Sequence, residues 1–155
     1  MRKRLPGGAN TDFGVPSRTA EAERQRITPA AAKRQAALVE AAWAVFDEVA
    51  ALTPEELRKW PRGGDRDRDR DRDKMIDHVL GAEAAYGRKL GVKHKQLTLE
   101  DTAAIAALRA DLLAVLSAPS DGRPVVDNGW TVRYAARRIA WHVLDHLWEM
   151  QDRVP

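Results

Sequence analysis

The sequence predicts an all-α protein, an antiparallel four-helix bundle. Three observations carry this expectation. Apolar residues recur at helical spacing in four separate stretches. Short breaks rich in Gly and Pro separate most of those stretches. No run alternates like a strand, and Pro124-Val125-Val126 is too short to count as one. Four long helices with short connections pack most simply as an antiparallel bundle.

Residues 1–28 hold Gly, Pro, Thr and charge with little periodicity and read as a flexible basic tail or linker. The bundle is expected over 29–155. Thr28-Pro29 looks like a helix start, with Thr as N-cap and Pro at the first helical position. The first helix should run to about Leu52, with Leu38, Ala42, Val45, Phe46 and Val49 facing inward. Thr53-Pro54-Glu55-Glu56 repeats the start signal as a capping box and should open a short helical turn. Pro61-Arg62-Gly63-Gly64 is a break. The Asp-Arg run over 65–73 is neutral overall and reads as a solvated loop; its opposite charges at i, i+3 can also pair along the start of a helix. The second helix is expected from about Arg70 to Leu90, stopped by Gly91. The third covers about Glu100 to Leu116, with Ile105, Leu108, Leu112, Val115 and Leu116 inward. The fourth begins near Thr131 and continues almost to the chain end.

Composition excludes several classes of chemistry. At 155 residues the chain suits one domain. It has no cysteine, so it forms no disulfide, no thiolate metal site, no iron–sulfur cluster and no cysteine nucleophile. That fits a reducing compartment. No stretch reaches the ~18 apolar residues of a membrane span. The basic start is not followed by an apolar region, so it does not read as a secretory signal. A cytoplasmic location with no membrane partner is expected. The net charge of +3 lies in the first 28 residues; from residue 29 onward 20 basic and 20 acidic residues cancel. The bundle therefore lacks the basic bias that nucleic-acid binding requires, and none is expected of it.

The chain has four histidines. His142 and His146 are i, i+4, one turn apart on one face of the fourth helix, close enough for two imidazoles to reach one ion. Ile139, Val143 and Met150 share their side, so the pair projects from or beside the buried face. Trp141, Tyr134 and Trp148 form a flanking stripe at spacing seven. On the second helix His78 shares its side with Met75, Val79, Ala82 and Tyr86. Two helices thus aim imidazoles inward, as bundles do when they build metal sites. Three neutral imidazoles with open coordination positions describe a catalytic site rather than a closed structural one. Each residue also has a plainer reading. His78 alone suits a hydrogen-bonded core histidine, and Tyr86 a core ring with a satisfied hydroxyl. Glu149 suits a surface salt bridge, or a group that orients a ligand from behind. His94, between Lys93 and Lys95, is expected in solvent.

These residues fall in recognisable motifs. Arg70-Asp71-Arg72-Asp73-Lys74, the helix bearing His78, and Arg137-Arg138-Ile139-Ala140-Trp141-His142-Val143-Leu144-Asp145-His146 together resemble the DinB-like superfamily of metal-binding four-helix bundles over about residues 29–153. The Asp-Arg repeat is longer than that group's usual version. The resemblance implies a three-histidine site at His78, His142 and His146 for a divalent metal, zinc or nickel. For some members it also implies transfer or isomerisation chemistry with a low-molecular-weight thiol such as mycothiol or bacillithiol. Residues 5–14 resemble the joint that follows a HicB-like antitoxin domain in longer relatives.

Three functions compete. In the first, an enzyme (thiol transferase, isomerase or hydrolase) uses the metal as a Lewis acid on a small-molecule substrate. Glu149, Tyr86 and Arg138 are then candidates to move protons or anchor an acidic group. In the second, a non-catalytic interaction or regulatory module forms a homodimer or serves a toxin–antitoxin-related role, with Trp141 and Trp148 as surface candidates. In the third, the metal merely staples the bundle.

Overall fold

The computed structural model describes residues 6, 17–59, 71–95 and 97–155. Within them lie four α-helices: α1 (Pro29–Leu52), α2 (Arg72–Arg88), α3 (Thr102–Leu116) and α4 (Val132–Arg153). A 3₁₀ turn, Glu21–Arg24, precedes them. Among the described residues there is no strand, only an isolated bridge between Ile27 and Ser120. No described helix is long and apolar enough to cross a membrane. The expected loop over the Asp-Arg run falls largely on residues 60–70, outside the described residues, as does Arg70 at the expected start of the second helix.

The capping signals work where their side chains point forward. The Thr28 hydroxyl accepts from the Ala31 N–H at 3.3 Å and starts α1. Thr131 does the same for α4 through Tyr134. Gly91 ends α2 at a φ of +80°. There Val92 N–H bonds the Gly87 carbonyl and Gly91 N–H bonds the Arg88 carbonyl, the paired closure that needs a left-handed residue. Thr53 departs from expectation. Its hydroxyl turns back to donate to the Val49 carbonyl at 2.7 Å, so it closes α1 and opens nothing. Residues 53–59 are consequently non-helical. They are tied down by Arg58 N–H to the Arg153 carbonyl and by Arg72, which bonds the carbonyls of Glu55 and Thr53.

The buried face of α1 also differs from the expected one. Ala32, Ala36, Val39, Ala42, Trp43, Phe46 and Ala50 are buried. Leu38 and Leu52 are 71% and 79% exposed, and Val45 is exposed as well. The side of α1 that meets the bundle is marked by a polar cluster that runs from the buried Glu83 out to the exposed Asp47. Arg109 on α3 reaches Asp47 on α1 at 2.6 Å and Glu83 on α2 at 3.4 Å, with its guanidinium 5.2 Å from the Trp43 ring centre. With Trp43 and Asp47 turned towards Arg109, Leu38, Val45 and Leu52 stand on the opposite side of α1. On α3 the expectation holds best for Leu108, Leu112 and Leu116, all fully buried; Ile105 and Val115 pack at the flank.

The segment assigned to a tail divides. Residues 1–5 and 7–16 lie outside the described residues, while 17–28 pack on α4. Ile27 is buried and exchanges backbone hydrogen bonds with Ser120. Arg137 grips both carboxylate oxygens of Glu23 and bonds the Arg18 carbonyl. Arg133 bonds the Arg26 carbonyl at 3.2 Å. Gly122 makes this docking fit: its φ is +94°, and a Cβ there would stand 2.0 Å from the Arg24 carbonyl oxygen. Gly122→Ala is expected to lower stability by about 1–3 kcal/mol, read in urea denaturation, because it combines a strained φ with a backbone clash.

Glu83 is 1% exposed. Burial pushes its carboxyl up from the ordinary 4.5 to about 7, with Arg109 pulling the other way. The folded chain thus holds a proton that the unfolded chain releases. Stability relative to Glu83→Gln should be greatest below about pH 4.5 and should fall as pH rises through about 7. The difference should reach roughly 3 kcal/mol at most. Chemical denaturation of both proteins across that window measures it, since other titrating groups cancel in the difference.

Candidate metal centre

His142 and His146 sit one turn apart on α4 and are both buried, at 7% and 8% exposure. His78 on α2 faces them from a half-buried position at the edge of its helix's core face. The ring centres are 5.2 Å apart for His78–His142, 4.8 Å for His78–His146 and 4.6 Å for His142–His146. One ring nitrogen from each lies within 4.8 Å of the other two. Nitrogens on one tetrahedral zinc stand roughly 3.4 Å apart, from bonds of about 2.05 Å. Small rotations about the side-chain torsions cover that difference. The structure therefore brings together all three histidines singled out in the sequence. Among the described residues the cluster has three members and no carboxylate or thiol donor.

The donor set suits a divalent transition metal, because neutral imidazole is a good ligand for zinc and nickel. Its support is of the matching kind. His146 Nδ1 is 3.0 Å from Glu149 Oε2. Arg153 donates to the other oxygen, Oε1, at 2.9 Å. Burial works to raise the Glu149 carboxyl, but His146 and Arg153 outweigh it and hold it below the ordinary carboxylate range. An ionised carboxylate only accepts, so Nδ1 is the donor in this contact, and Nε2 is the nitrogen of His146 that Glu149 leaves for a metal. Arg153 is itself 1% exposed and donates to the Arg58 carbonyl at 2.8 Å. The loop after α1 thereby fixes the orientation of a histidine on α4. Arg153 was not singled out from sequence; its position four residues after Glu149, an i, i+4 acid–base pair, is the signal that points to it.

The remaining candidates surround one side of His142. The Tyr86 ring centre is 5.6 Å from that of His142 and 5.1 Å from Trp130. Burial raises the Tyr86 phenol above its ordinary value, against the pull of Arg138. The Arg138 guanidinium lies 5.3 Å from the Tyr86 ring centre and 4.7 Å from that of Trp141. The aromatic stripe does not form one surface: Tyr134 is buried, Trp141 half-buried and Trp148 57% exposed. His94 stands apart from the cluster but is not in free solvent; its Nε2 meets Asp111 on α3 at 2.8 Å and only 19% of its side chain is exposed. A recess lined by Ala114, Val115, Pro119, Pro124 and Val125 opens at the C-terminal end of α3, and none of the three histidines lines it.

Among the described residues the fold is thus all-helical, with a three-imidazole cluster whose His146 is held by Glu149. No known protein family, curated protein or solved structure matches the chain. A metal held by these imidazoles is expected to bind roughly 10- to 100-fold more weakly in Glu149→Gln. Competition against a chromophoric chelator, with helix content checked by circular dichroism, measures the change.

Proposed function

We propose that this chain is a divalent-metal enzyme of the DinB-like type, an antiparallel four-helix bundle with His78, His142 and His146 as ligands for zinc or nickel. The observation that carries the reading is the convergence of three imidazoles from two helices, one of them oriented by Glu149. Three protein donors leave coordination positions for a small molecule. The chemistry a bound divalent ion supplies there is Lewis acidity, which favours the deprotonated form of a thiol or water. The chain has no cysteine, so a thiol enters from outside, and mycothiol or bacillithiol acting on a small electrophile in the cytoplasm is the reaction class we favour. In this scheme Glu149 positions His146, and the rings of Tyr86 and Trp141 stand beside His142.

A second reading, a non-catalytic module with a structural metal, draws on Leu38, Val45 and Leu52. They are exposed at spacing seven on α1 and offer a surface for a homodimer.

Metal analysis tests the proposal. Protein produced with ample zinc or nickel should carry one equivalent. Each of His78→Ala, His142→Ala and His146→Ala should weaken binding by more than the roughly 100-fold upper range expected for a supporting residue. Metal-free wild type overturns the reading. Removal of the ion by a chelator with helix content retained agrees with an open working site, whereas unfolding on chelation favours the structural metal.

A further inference from the structure

Arg34, Leu38, Ala41, Val45, Glu48 and Leu52 follow one another along α1 at alternating steps of four and three residues. All six are exposed. Steps that average about 3.5 residues keep a stripe on one side of a helix, and such a stripe is the seam through which two helices pair. Here it runs along most of a 24-residue helix, about 36 Å of rise. Seven large apolar side chains are exposed among the described residues, and three of them, Leu38, Val45 and Leu52, share this stripe instead of being scattered.

The charges on the stripe select its partner. Arg34 stands seven residues before Ala41 and Glu48 seven residues after it. Let a second α1 lie antiparallel to the first, related by a two-fold axis at Ala41. Arg34 of each copy is then level with Glu48 of the other, so opposite charges meet at two places. Leu38 of each copy lies beside Val45 of the other. Ala41 meets its own counterpart, and its small side chain lets the two helices approach closely. A parallel pair in register would set Arg34 against Arg34 and Glu48 against Glu48, which like-charge repulsion opposes.

We infer that α1 docks antiparallel on α1 of a second copy of this chain, as a two-fold dimer centred on Ala41. The stripe is complementary to itself, as an isologous interface requires. The contact is one helix long and about 10 Å wide, at the small end for protein interfaces, so the dimer is weak and reversible, with dissociation in the micromolar range or above. It takes up the α1 surface of the second reading above, yet it stands whichever role the metal has, because the three histidines lie on α2 and α4.

Sedimentation of the full chain from about 1 µM to about 1 mM tests it. Wild type should pass reversibly from monomer to dimer. Ala41→Glu, which sets two like charges together at the axis, should weaken the dimer at least about tenfold with helix content unchanged. Arg34→Glu and Glu48→Arg should each weaken it by about three- to tenfold, and the double variant should return to within about threefold of wild type. Cysteine placement reads the orientation, because the chain has no cysteine of its own. Under mild oxidation Ala41→Cys should link two copies, whereas Leu52→Cys should not, since those positions lie about 33 Å apart along the antiparallel pair. A monomer at every concentration, or a dimer indifferent to Ala41→Glu, overturns the inference. So does linkage of Leu52→Cys as ready as that of Ala41→Cys, the mark of a parallel pair. Should Ala41→Glu fail to fold, the charge exchange and the two cysteine variants decide the matter. Should wild type take up no zinc, the metal reading fails by itself and the same sedimentation still decides the dimer.

Discussion

Burying α4 obliges its polar side chains to find partners, and most of the molecule is arranged around how they do so. α4 packs against α1, α2, α3 and the 3₁₀ turn. It nevertheless carries four arginines and two histidines. A charged group taken out of water is costly unless it is paired and hydrogen-bonded. Arg137 draws in Glu23 from the N-terminal segment, Arg133 takes the Arg26 carbonyl, and Arg153 reaches both Glu149 and the Arg58 carbonyl. These contacts carry residues 17–28 and 53–59, neither of which forms a long helix, onto the bundle. His142, His146 and Arg138 are the groups on this helix that line the candidate site.

A second polar system, buried at Glu83 and exposed at Asp47, lies on the other side of α2. His78 points to α4, whereas Glu83, five residues later, points to α1 and α3. The Glu83–Arg109–Asp47 cluster draws on three helices, so rotating any one of them leaves a charge without its partner. Replacing such a cluster with apolar groups is often neutral for stability. Its effect here is geometric. It fixes which sides of α1, α2 and α3 meet, and with them the direction in which α2 presents His78.

Local signals were legible in the sequence and distant pairings were not. Thr28-Pro29, Thr131 and Gly91 act within one turn of chain, and each marks its helix end as expected. Thr53 carries the same kind of signal, but a hydroxyl can bond backwards as readily as forwards, and the spacing does not say which. The rotation of α1 was hidden because its alanines make several faces about equally apolar. Trp43 and Asp47 reveal the true face only once Arg109, on another helix, is beside them. Glu83 had a readable signal, since it sits on the same stripe as Met75, Val79 and Gly87. At the site, the spacing of His142 and His146 was plain, while the meeting with His78 depends on how two helices pack. The docking of Ile27 and Glu23 depends on partners about 90 and 114 residues away, and little in residues 17–28 announces it.

The contact between Gly122 and the Arg24 carbonyl bears on where the folding unit begins. A fragment cut to the four long helices would start at Pro29. It would remove Ile27 from beside Ser120 and take Glu23 and the Arg18 carbonyl away from the Arg137 guanidinium. The natural edge of this unit therefore falls upstream of Arg18. A fusion partner joined at the first long helix would replace an interior surface of the protein, not a linker.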